Sequence, residues 1–290
     1  MKPTKQISRR YLTAPQKHGF LRIDRLEVKE REGHMYIGKL ADDYDSLGFA
    51  VIKGFLTKKQ VTEVLDEFQR FLDTEAPLLK GREINYADED RKVLNSIHNL
   101  ASTPGNYFHS LLHSPRVIDL GSQFLRGQAK ARAAEMFAKP AGKGLPSPLH
   151  QDNFYWCLQP CDAHTALTIW VALDPANPSN GGVTYLAGSH KLGLIEHTDS
   201  NAPGSSQMVK DQTIIARYEN VSPSLEPGDA LVHDSMTLHY SAANTSGNSR
   251  RGMTLQLQRE NAQVDPIRLK IYEDRLAAQI AKRSETTNDR

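Results

Sequence analysis

Cysteine is scarce in this chain of 290 residues, which contains only Cys157 and Cys161, four positions apart in "CLQPC". A zinc site normally needs further thiol or imidazole ligands at compact spacing, and a disulfide across so short a loop adds little stability. The scarcity therefore predicts two half-buried free thiols in a reducing cytosol and favours a cytoplasmic location.

Long apolar runs are also missing. No segment approaches the roughly 18 apolar residues that a membrane span needs, and no short apolar segment follows Met1 as it would in a secretory signal. Charge is nearly balanced, with 36 Lys and Arg against 34 Asp and Glu and a net charge of +2. These absences argue against a membrane partner and give no electrostatic basis for binding nucleic acid.

The N-terminus is the one region of uneven charge. The first twenty residues contain five Lys or Arg and no acid, which predicts a solvated arm over residues 1–40, with a transit peptide or basic tail as the alternative. The remaining composition, with 39% hydrophobic and 24% charged residues, is that of an ordinary globular protein. We expect a single domain over residues 1–290.

Residues 47–130 are predicted to form a mainly helical support region. "GFAVIKGF" predicts a short strand at residues 49–52, and Thr57 is placed to cap the helix that follows. Apolar residues then recur every three or four positions up to Leu72, as on a helix with one face against a core. A second helical region is predicted at residues 111–125, beginning near Ser114 and Pro115.

Residues 131–260 have a different pattern. Short segments rich in Val, Ile, Thr, Tyr and Trp are separated by clusters of Gly, Pro, Asn and Ser, as in "ALTIWVAL", "GGVTYLAG", "GDALVHD", "LHYSAA" and "GMTLQLQ". Regular short strands with turn signals predict a β-sandwich or β-barrel. A C-terminal helix is predicted at residues 264–284. The expected fold class is therefore mainly β with flanking helices.

The stretch "PSPLHQDNFYW" places His150 and Asp152 two positions apart in an aromatic run. On a strand, residues i and i+2 point to the same face, so these two side chains can bind one ion together. Two histidines and one carboxylate on one face of Fe(II) form the facial triad of non-haem iron oxygenases. A second His-x-Asp pair, His197 and Asp199, precedes "SNAPGSS" and is predicted to lie on a surface loop.

The third ligand must come from a later strand, where His233 and His239 are the candidates. If residues 238–242 and 249–258 formed a hairpin, His239 would lie opposite Arg250, and Ser241 would share its face. A guanidinium binds carboxylates through two parallel hydrogen bonds, which suits the far carboxylate of a 2-oxo acid that chelates the metal. A one-residue slip in register would substitute Arg251 for Arg250.

Four segments together are typical of one known family: "GFAVIKGFLTKKQV", "FAKPAGKGLPSPLHQDNFYW", "ALTIWVALDPANPSNGGVTYLAGSHKLG" and "GDALVHDSMTLHYSAANTSGNSRRG". On these segments, from about residue 47 to residue 258, the chain resembles the phytanoyl-CoA dioxygenase family of Fe(II)/2-oxoglutarate-dependent oxygenases, which also contains ectoine hydroxylases. The resemblance implies a double-stranded β-helix core (a jelly-roll, cupin-like barrel) with the metal at its open end.

The resemblance also implies roles for single residues. His150, Asp152 and His239 would be the iron ligands, and the presence of Asp152 favours hydroxylation over halogenation. Four further residues would hold the 2-oxoglutarate co-substrate: Arg250, Ser241, Thr168 and Trp170. Fe(II), 2-oxoglutarate and O2 are the implied cofactors, with succinate and CO2 as co-products.

The primary substrate is less constrained by the sequence. We expect a small charged or zwitterionic metabolite, such as an organophosphonate, an amino-acid derivative or a quaternary ammonium compound; an acyl-CoA or natural-product scaffold is the alternative. Anionic groups would meet lysines, and ammonium groups would meet aromatic rings, although a solvated loop and ordinary barrel packing account for the same residues. The substrate candidates are Gln151, Tyr155, Trp156, Lys143 and Tyr185.

Three other functions are compatible with parts of the pattern. A cupin-like iron enzyme that does not use 2-oxoglutarate would leave Arg250 and Ser241 without a purpose. A non-catalytic β-sandwich binding protein would not need the complete triad. A nucleic-acid oxygenase fits poorly with the net charge of +2. A homodimer is also expected, since the N-terminal arm and the C-terminal helix can each reach a second copy.

Overall fold

The computed structural model describes residues 29–31, 34–79, 83–88, 90–200, 202 and 205–288. Most of the predicted N-terminal arm lies outside this part of the chain. Six α-helices are present in it: α1 (Gly38–Leu47), α2 (Lys58–Thr74), α3 (Tyr107–Leu112), α4 (Pro115–Leu125), α5 (Asp152–Trp156) and α6 (Pro266–Asn288).

The described residues also form seventeen short or medium strands. In chain order they are β1 (Lys29–Arg31), β2 (His34–Tyr36), β3 (Phe49–Ile52), β4 (Ile84–Tyr86), β5 (Leu94–Ile97), β6 (Ala129–Lys139), β7 (Ser147–His150), β8 (Leu158–Gln159), β9 (Ala166–Ala172), β10 (Val183–Leu186), β11 (His197–Asp199), β12 (Gln207–Val209), β13 (Asn220–Val221), β14 (Ala230–Asp234), β15 (His239–Ser241), β16 (Arg250–Arg259) and β17 (Gln263–Val264).

Helix α2 shows how local sequence sets an element. The Thr57 hydroxyl accepts a hydrogen bond from the Gln60 backbone N–H, and the Gln60 side chain accepts one from the Thr57 N–H, which completes a capping box. Val61, Val64 and Phe68 are buried on one face. The second predicted helical region contains the end of α3 and the whole of α4, which begins at Pro115 after the N-cap Ser114.

The larger sheet has seven strands in the order β3-β14-β9-β16-β6-β5-β4, and its neighbouring strands pair antiparallel. Every residue of the central strand β9 is buried. One face, with Leu167 and Ile169, packs in the main hydrophobic core with residues of helices α1 to α4. The other face, with Thr168 and Trp170, lines a cavity. Burial on both faces explains why this strand is continuously apolar rather than alternating.

A four-stranded sheet, in the order β13-β10-β15-β7, closes the other side of that cavity. The two sheets form a jelly-roll barrel with helices packed outside it, as the sequence predicted. Strands β3, β4 and β5 of the larger sheet come from residues 47–130, so the helical support region also contributes to the barrel. Within the described part of the chain, no helix has the length and apolarity to cross a membrane.

The predicted hairpin of residues 238–242 and 249–258 is wrong. Strand β15 pairs with β10 and β7 in the small sheet, whereas β16 pairs with β6 and β9 in the large one. The intervening segment crosses from one sheet to the other, and the Asn244 backbone N–H donates a hydrogen bond to the Gly144 carbonyl along the way. His239 and Arg250 therefore reach the cavity from different sheets and are not strand neighbours.

Candidate active site

His150 and Asp152 lie at a junction between a strand and a helix. Strand β7 ends at His150, and Asp152 is the first residue of the one-turn helix α5. The expectation that both side chains share the face of one strand is therefore wrong. The turn into the helix nevertheless brings His150 Nε2 to 3.6 Å from Asp152 Oδ1.

His239 completes the cluster from the first position of β15, directly across from His150 in the small sheet. Its Nε2 lies 3.7 Å from Asp152 Oδ1, and one ligand atom from each of the three residues lies within 4.8 Å of the others. Ligand atoms bound at about 2.1 Å on adjacent octahedral positions are roughly 3 Å apart. The spacing and the chemistry of this donor set therefore fit a divalent iron ion.

Both imidazoles are held in the form that a metal ligand needs. The Nδ1 atoms of His150 and His239 lie 2.7 and 3.0 Å from the backbone carbonyl oxygens of Pro148 and Thr237, each two residues earlier in the chain. A carbonyl only accepts hydrogen bonds, so each Nδ1 carries the proton and donates it. Each Nε2 then keeps its lone pair directed toward Asp152.

The second oxygen of Asp152 is fixed by two other groups. The Thr168 hydroxyl donates to Asp152 Oδ2 at 2.6 Å, and His233 Nε2 lies 3.1 Å from the same oxygen. The other ring nitrogen of His233 contacts the Tyr185 hydroxyl at 2.9 Å. Burial alone would raise the pKa of Asp152, but His239, His150 and His233 hold it well below its usual value, so the carboxylate is charged.

His233 is thus a support for the triad rather than a member of it. The sequence left His233 and His239 as alternative ligands and favoured His239 by the hairpin, which is wrong. The structure brings His239 into the cluster by the pairing of β15 with β7. Thr168, expected near the co-substrate, lines the cavity and also donates a hydrogen bond to the carboxylate of Asp152.

Two buried cations lie at the far end of the same cavity. Arg250 and Lys139 are 2% and 4% exposed and are direct partners across strands β16 and β6. Like charges opposite each other in a sheet are destabilising, and among the described residues neither cation has an acid at ion-pair distance. The Arg250 guanidinium lies 5.1 Å from the Trp170 ring centroid, and its Nε is buried with no hydrogen-bond partner.

Burial changes the pKa of both groups. Burial, together with the nearby charge of Arg250, lowers the pKa of Lys139 to about 6, and burial lowers the pKa of Arg250 to about 10. The Lys139 ammonium donates to the backbone carbonyl of Ala242 at 2.6 Å, and Arg250 Nη2 donates to the Gly181 carbonyl at 2.6 Å. A neutral carbonyl does not cancel the buried charge of Arg250, and a nearby anion would also favour the charged form of Lys139, so the chemistry of this end of the cavity suits an anion.

The sequence left open whether Arg250 or Arg251 faces the cavity, and the position of Arg251 answers this. It points away from the cavity and pairs with Asp174, with Nη2 at 2.7 Å from Oδ1 and Nε at 2.9 Å from Oδ2. Ser241 is 5% exposed and lines the cavity at the Arg250 end. The pairing of Lys139 with Arg250 depends on a strand register that no local sequence pattern reveals.

Only two of the five predicted substrate residues line the cavity, namely Tyr155 and Trp156. Gln151 is fully buried, and its side-chain amide forms hydrogen bonds with the backbone of Gly193, Met236 and Ile195. These bonds connect the loops behind the triad and leave the amide without a group to offer a substrate. The other two residues also point elsewhere. Lys143 is exposed on the turn after β6, and Tyr185 is buried against His233.

The second His-x-Asp pair is not on a surface loop. His197 is 2% exposed on strand β11, stacks on Phe154 at 4.0 Å and accepts a hydrogen bond from the Gln151 backbone N–H. Burial lowers the pKa of His197 to about 4. Its contacts are structural, and it lies behind the triad rather than in the cavity.

The cavity as a whole has a volume of about 540 Å³, a size typical of sites for small molecules. Its walls come from both sheets, and its outer part is bounded by helix α6 through Tyr272, Leu276 and Ile280. A double-stranded β-helix with a His-x-Asp…His cluster inside and a basic end opposite defines the class of non-haem iron oxygenases that use a 2-oxo acid.

The comparison with family models agrees with this class. Residues 44–252 match the model of phytanoyl-CoA dioxygenase (PhyH), which is most of the chain. The protein therefore belongs to the phytanoyl-CoA dioxygenase family, and it is a non-haem Fe(II)/2-oxoglutarate-dependent dioxygenase with Fe(II), 2-oxoglutarate and O2 as its cofactors and co-substrates.

Individual relatives are distant. The chain is 28% identical over 178 residues to phytanoyl-CoA dioxygenase domain-containing protein 1 of Mus musculus, which covers 60% of each chain. It is 23% identical to a probable alpha-ketoglutarate-dependent hypophosphite dioxygenase of Stutzerimonas stutzeri, over 72% of this chain and 74% of that protein. The structure of EctD from S. alaskensis with 2-oxoglutarate and 5-hydroxyectoine has a similar fold, with a TM-score of 0.65 at 18% identity, over 83% and 82% of the two chains.

Proposed function

We propose that the protein hydroxylates an unactivated C–H bond of a small, charged or zwitterionic metabolite, with succinate and CO2 as co-products. One observation carries this proposal. In a single cavity, the ligand atoms of His150, Asp152 and His239 lie together, and two buried cations without an acidic partner in the described chain lie at the end opposite.

His150, Asp152 and His239 are the proposed iron ligands. Fe(II), when bound, supplies the redox chemistry that couples decarboxylation of 2-oxoglutarate to oxidation of the substrate. The chain itself fixes the donors: two backbone carbonyls orient the imidazoles, and Thr168 with His233 holds the second oxygen of Asp152. This leaves Asp152 Oδ1 facing both imidazoles, so a small inward movement of the three donors is enough to bind the ion.

Arg250 and Lys139 are proposed to bind the far carboxylate of 2-oxoglutarate. A carboxylate placed between them would stabilise the charged form of Lys139 and would supply the partner that Arg250 Nε lacks. Trp170 lies under the guanidinium and keeps water from it, and Ser241 lines the same end. An iron enzyme that used no 2-oxo acid would have no use for this pair of cations.

The substrate class rests on the size and polarity of the cavity. About 540 Å³ accommodates a small metabolite beside 2-oxoglutarate, whereas most of an acyl-CoA or a large natural-product scaffold would remain outside. Two of the similar proteins carry names or ligands, hypophosphite and 5-hydroxyectoine, that are small and charged or zwitterionic. We further propose one catalytic domain, acting in the cytoplasm as a homodimer. A non-catalytic binding protein is disfavoured by the complete triad.

The test is an anaerobic titration of the wild-type protein with Fe(II) and 2-oxoglutarate. The readout is the weak visible charge-transfer band that such a complex gives. We expect the band in the wild type and its loss in His150→Ala and His239→Ala. His113→Ala, which removes an exposed histidine remote from the cavity, is the matched control and keeps the band.

His233→Gln separates a ligand from a support. A glutamine amide can replace the contact of His233 with Asp152 Oδ2, so this variant is expected to keep the band with weaker iron binding. Complete loss of the band in His233→Gln but not in His239→Ala would show that His233 is the ligand and His239 the supporting residue. No band in the wild type at saturating iron and 2-oxoglutarate would overturn the proposed function.

A further inference from the structure

Arg132 is placed in the cavity by an irregularity in strand β6. Gln256 of β16 pairs with Ala133, and the next residue, Leu257, pairs with Ala131, so Arg132 is an extra residue without a partner on β16. A β-bulge of this kind turns a side chain that would otherwise face the opposite side of the sheet. Arg132 thereby joins Ala133 and Glu135 among the residues that line the cavity.

The guanidinium of Arg132 lacks an ionic partner in the described structure. It lies 4.9 Å from the Trp156 ring centroid, and its Nη1 donates weakly to Gln258 Oε1 at 3.3 Å. Its Nε is buried and has no hydrogen-bond partner. The acid nearest to it along β6, Glu135, is held by His98 at 2.8 Å. Burial lowers the pKa of Arg132, and the carboxylates of Glu135 and Asp152 act in the opposite direction. Neither carboxylate forms an ion pair with Arg132 in the described structure, so the guanidinium is free to pair with a bound anion.

Arg132 and Arg250 lie at different levels of the sheet, with Arg132 at the level of the triad and Arg250 farther along strand β16. Gln256 is paired on one side with Thr168, whose hydroxyl bonds Asp152, and on the other with Ala133, next to Arg132. Arg250 lies six residues before Gln256 on the same strand, about 20 Å away at strand spacing. With 2-oxoglutarate between the iron and Arg250, the space beside Arg132 remains for the primary substrate.

We propose that Arg132 is a specificity-determining residue that binds an oxyanion of the primary substrate, a carboxylate or a phosphonate. This inference rests on the proposed function. Trp156, Tyr155 and Tyr272 form an aromatic wall beside the guanidinium, which suits a short carbon chain between the anion and the C–H bond to be oxidised. Among the proposed classes, organophosphonates and amino-acid derivatives fit this site, whereas a quaternary ammonium group would be repelled.

The experiment measures binding to the anaerobic protein loaded with Fe(II) and saturating 2-oxoglutarate, so that the Arg250 site is filled. Butyrate, propylphosphonate and the neutral butyramide are titrated by calorimetry, and the visible band is followed in parallel. We expect at least one anion to bind the wild type about 10-fold or more tightly than butyramide. Comparison of butyrate with propylphosphonate then shows whether the site prefers a carboxylate or a phosphonate.

Three variants are compared. Arg132→Gln is expected to weaken binding of the anion by about 10- to 100-fold without changing the weak binding of butyramide. Arg132→Lys keeps the charge but not the paired donors and is expected to be intermediate. Lys130→Gln is the matched control, because Lys130 lies two residues away on the same strand and is exposed; it is expected to bind like the wild type.

The outcomes are distinct from those that test the proposed function. Loss of the visible band in the wild type would overturn the iron and co-substrate assignment. With the band intact, three results would overturn the role of Arg132: no anion binding at millimolar concentration, equal binding of anion and amide, or anion binding that survives Arg132→Gln.

Discussion

The two tryptophans of the chain both line the cavity, and each has an arginine over its ring. Arg250 lies 5.1 Å from the centroid of Trp170, and Arg132 lies 4.9 Å from that of Trp156. The surroundings of the two pairs differ. Arg250 is 2% exposed with Lys139 beside it, whereas Arg132 is only partly buried near the outer wall that helix α6 provides.

This difference separates two kinds of recognition. The Arg250 end is closed, and its donors are fixed by strand pairing and by the Gly181 carbonyl, which suits one anion of constant size. The Arg132 end depends on a bulge and on a helix from the end of the chain, both of which can change without disturbing the barrel. We therefore expect substitutions of Arg250 to change the affinity for 2-oxoglutarate and substitutions of Arg132 to change which substrates bind.

Arg250→Gln is expected to have the largest effect. The affinity for 2-oxoglutarate should fall about 100-fold or more, since a buried charge-assisted pair is lost. Arg251→Gln removes a charge one position away that pairs with Asp174 outside the cavity, and it should leave this affinity unchanged. The measurement is 2-oxoglutarate titration of the Fe(II) protein by the visible band. Equal losses in the two variants would mean that Arg250 has no specific role.

Gly252→Ala tests the packing under Arg250. A Cβ at Gly252 would lie 2.0 Å from Trp170 Cζ2, so the ring must move. We expect the free energy of unfolding to fall by about 1–3 kcal/mol, as for other overpacked cores, with weaker 2-oxoglutarate binding as Trp170 shifts. Gly247→Ala, where a Cβ meets nothing within 4 Å, is the control. The measurement is denaturant unfolding of both variants. A free energy of unfolding equal to that of the wild type in Gly252→Ala would show that Trp170 is not held tightly.

Sequence patterns were sufficient where the determinants are local. The capping box at Thr57, the apolar face of α2 and the doubly buried strand β9 each follow from residues within a few positions. The short spacing of His150 and Asp152 marked the ligand cluster even though the strand geometry assumed for it was wrong, because a strand end followed by a helical turn also brings the two side chains together.

Long-range register was not predictable in the same way. The opposition of Lys139 and Arg250 depends on how β6 and β16, about 110 residues apart, are aligned. The position of Arg132 depends on one unpaired residue in that alignment. The only trace in the sequence is the break in alternation at "RAAE", where two alanines separate Arg132 from Glu135. The supporting role of His233 was not predicted for a related reason: its contacts with Tyr185 and Asp152 connect residues from three separate strands or helices.

Lys139 makes the closed end sensitive to pH. Its pKa of about 6 without an anion means that it is mostly neutral at neutral pH, and a bound carboxylate raises that pKa, so binding takes up a proton. The affinity for 2-oxoglutarate is therefore expected to be highest below about pH 6 and to fall, by at most about tenfold per pH unit, as pH rises toward the pKa of the complex. Arg250, with a pKa of about 10, stays charged throughout.

Lys139→Met removes the titrating group, and its 2-oxoglutarate affinity should be lower and nearly independent of pH between about 6 and 8. The measurement is the dissociation constant at several pH values with iron already bound. A wild-type affinity as flat as that of Lys139→Met would show that the co-substrate carboxylate does not contact Lys139.

The smallest expected effect comes from exchanging each tryptophan for phenylalanine. Phenylalanine has a weaker attraction for a cation than tryptophan, by roughly 0.5–1 kcal/mol, which corresponds to a few-fold change in affinity. Trp170→Phe should weaken 2-oxoglutarate and leave binding of butyrate or propylphosphonate unchanged, and Trp156→Phe should do the reverse. Each variant is the control for the other, measured by the same two titrations. If both variants affected both ligands equally, the two arginine–tryptophan pairs would not act as separate sites, and the division of the cavity into a co-substrate end and a substrate end would be wrong.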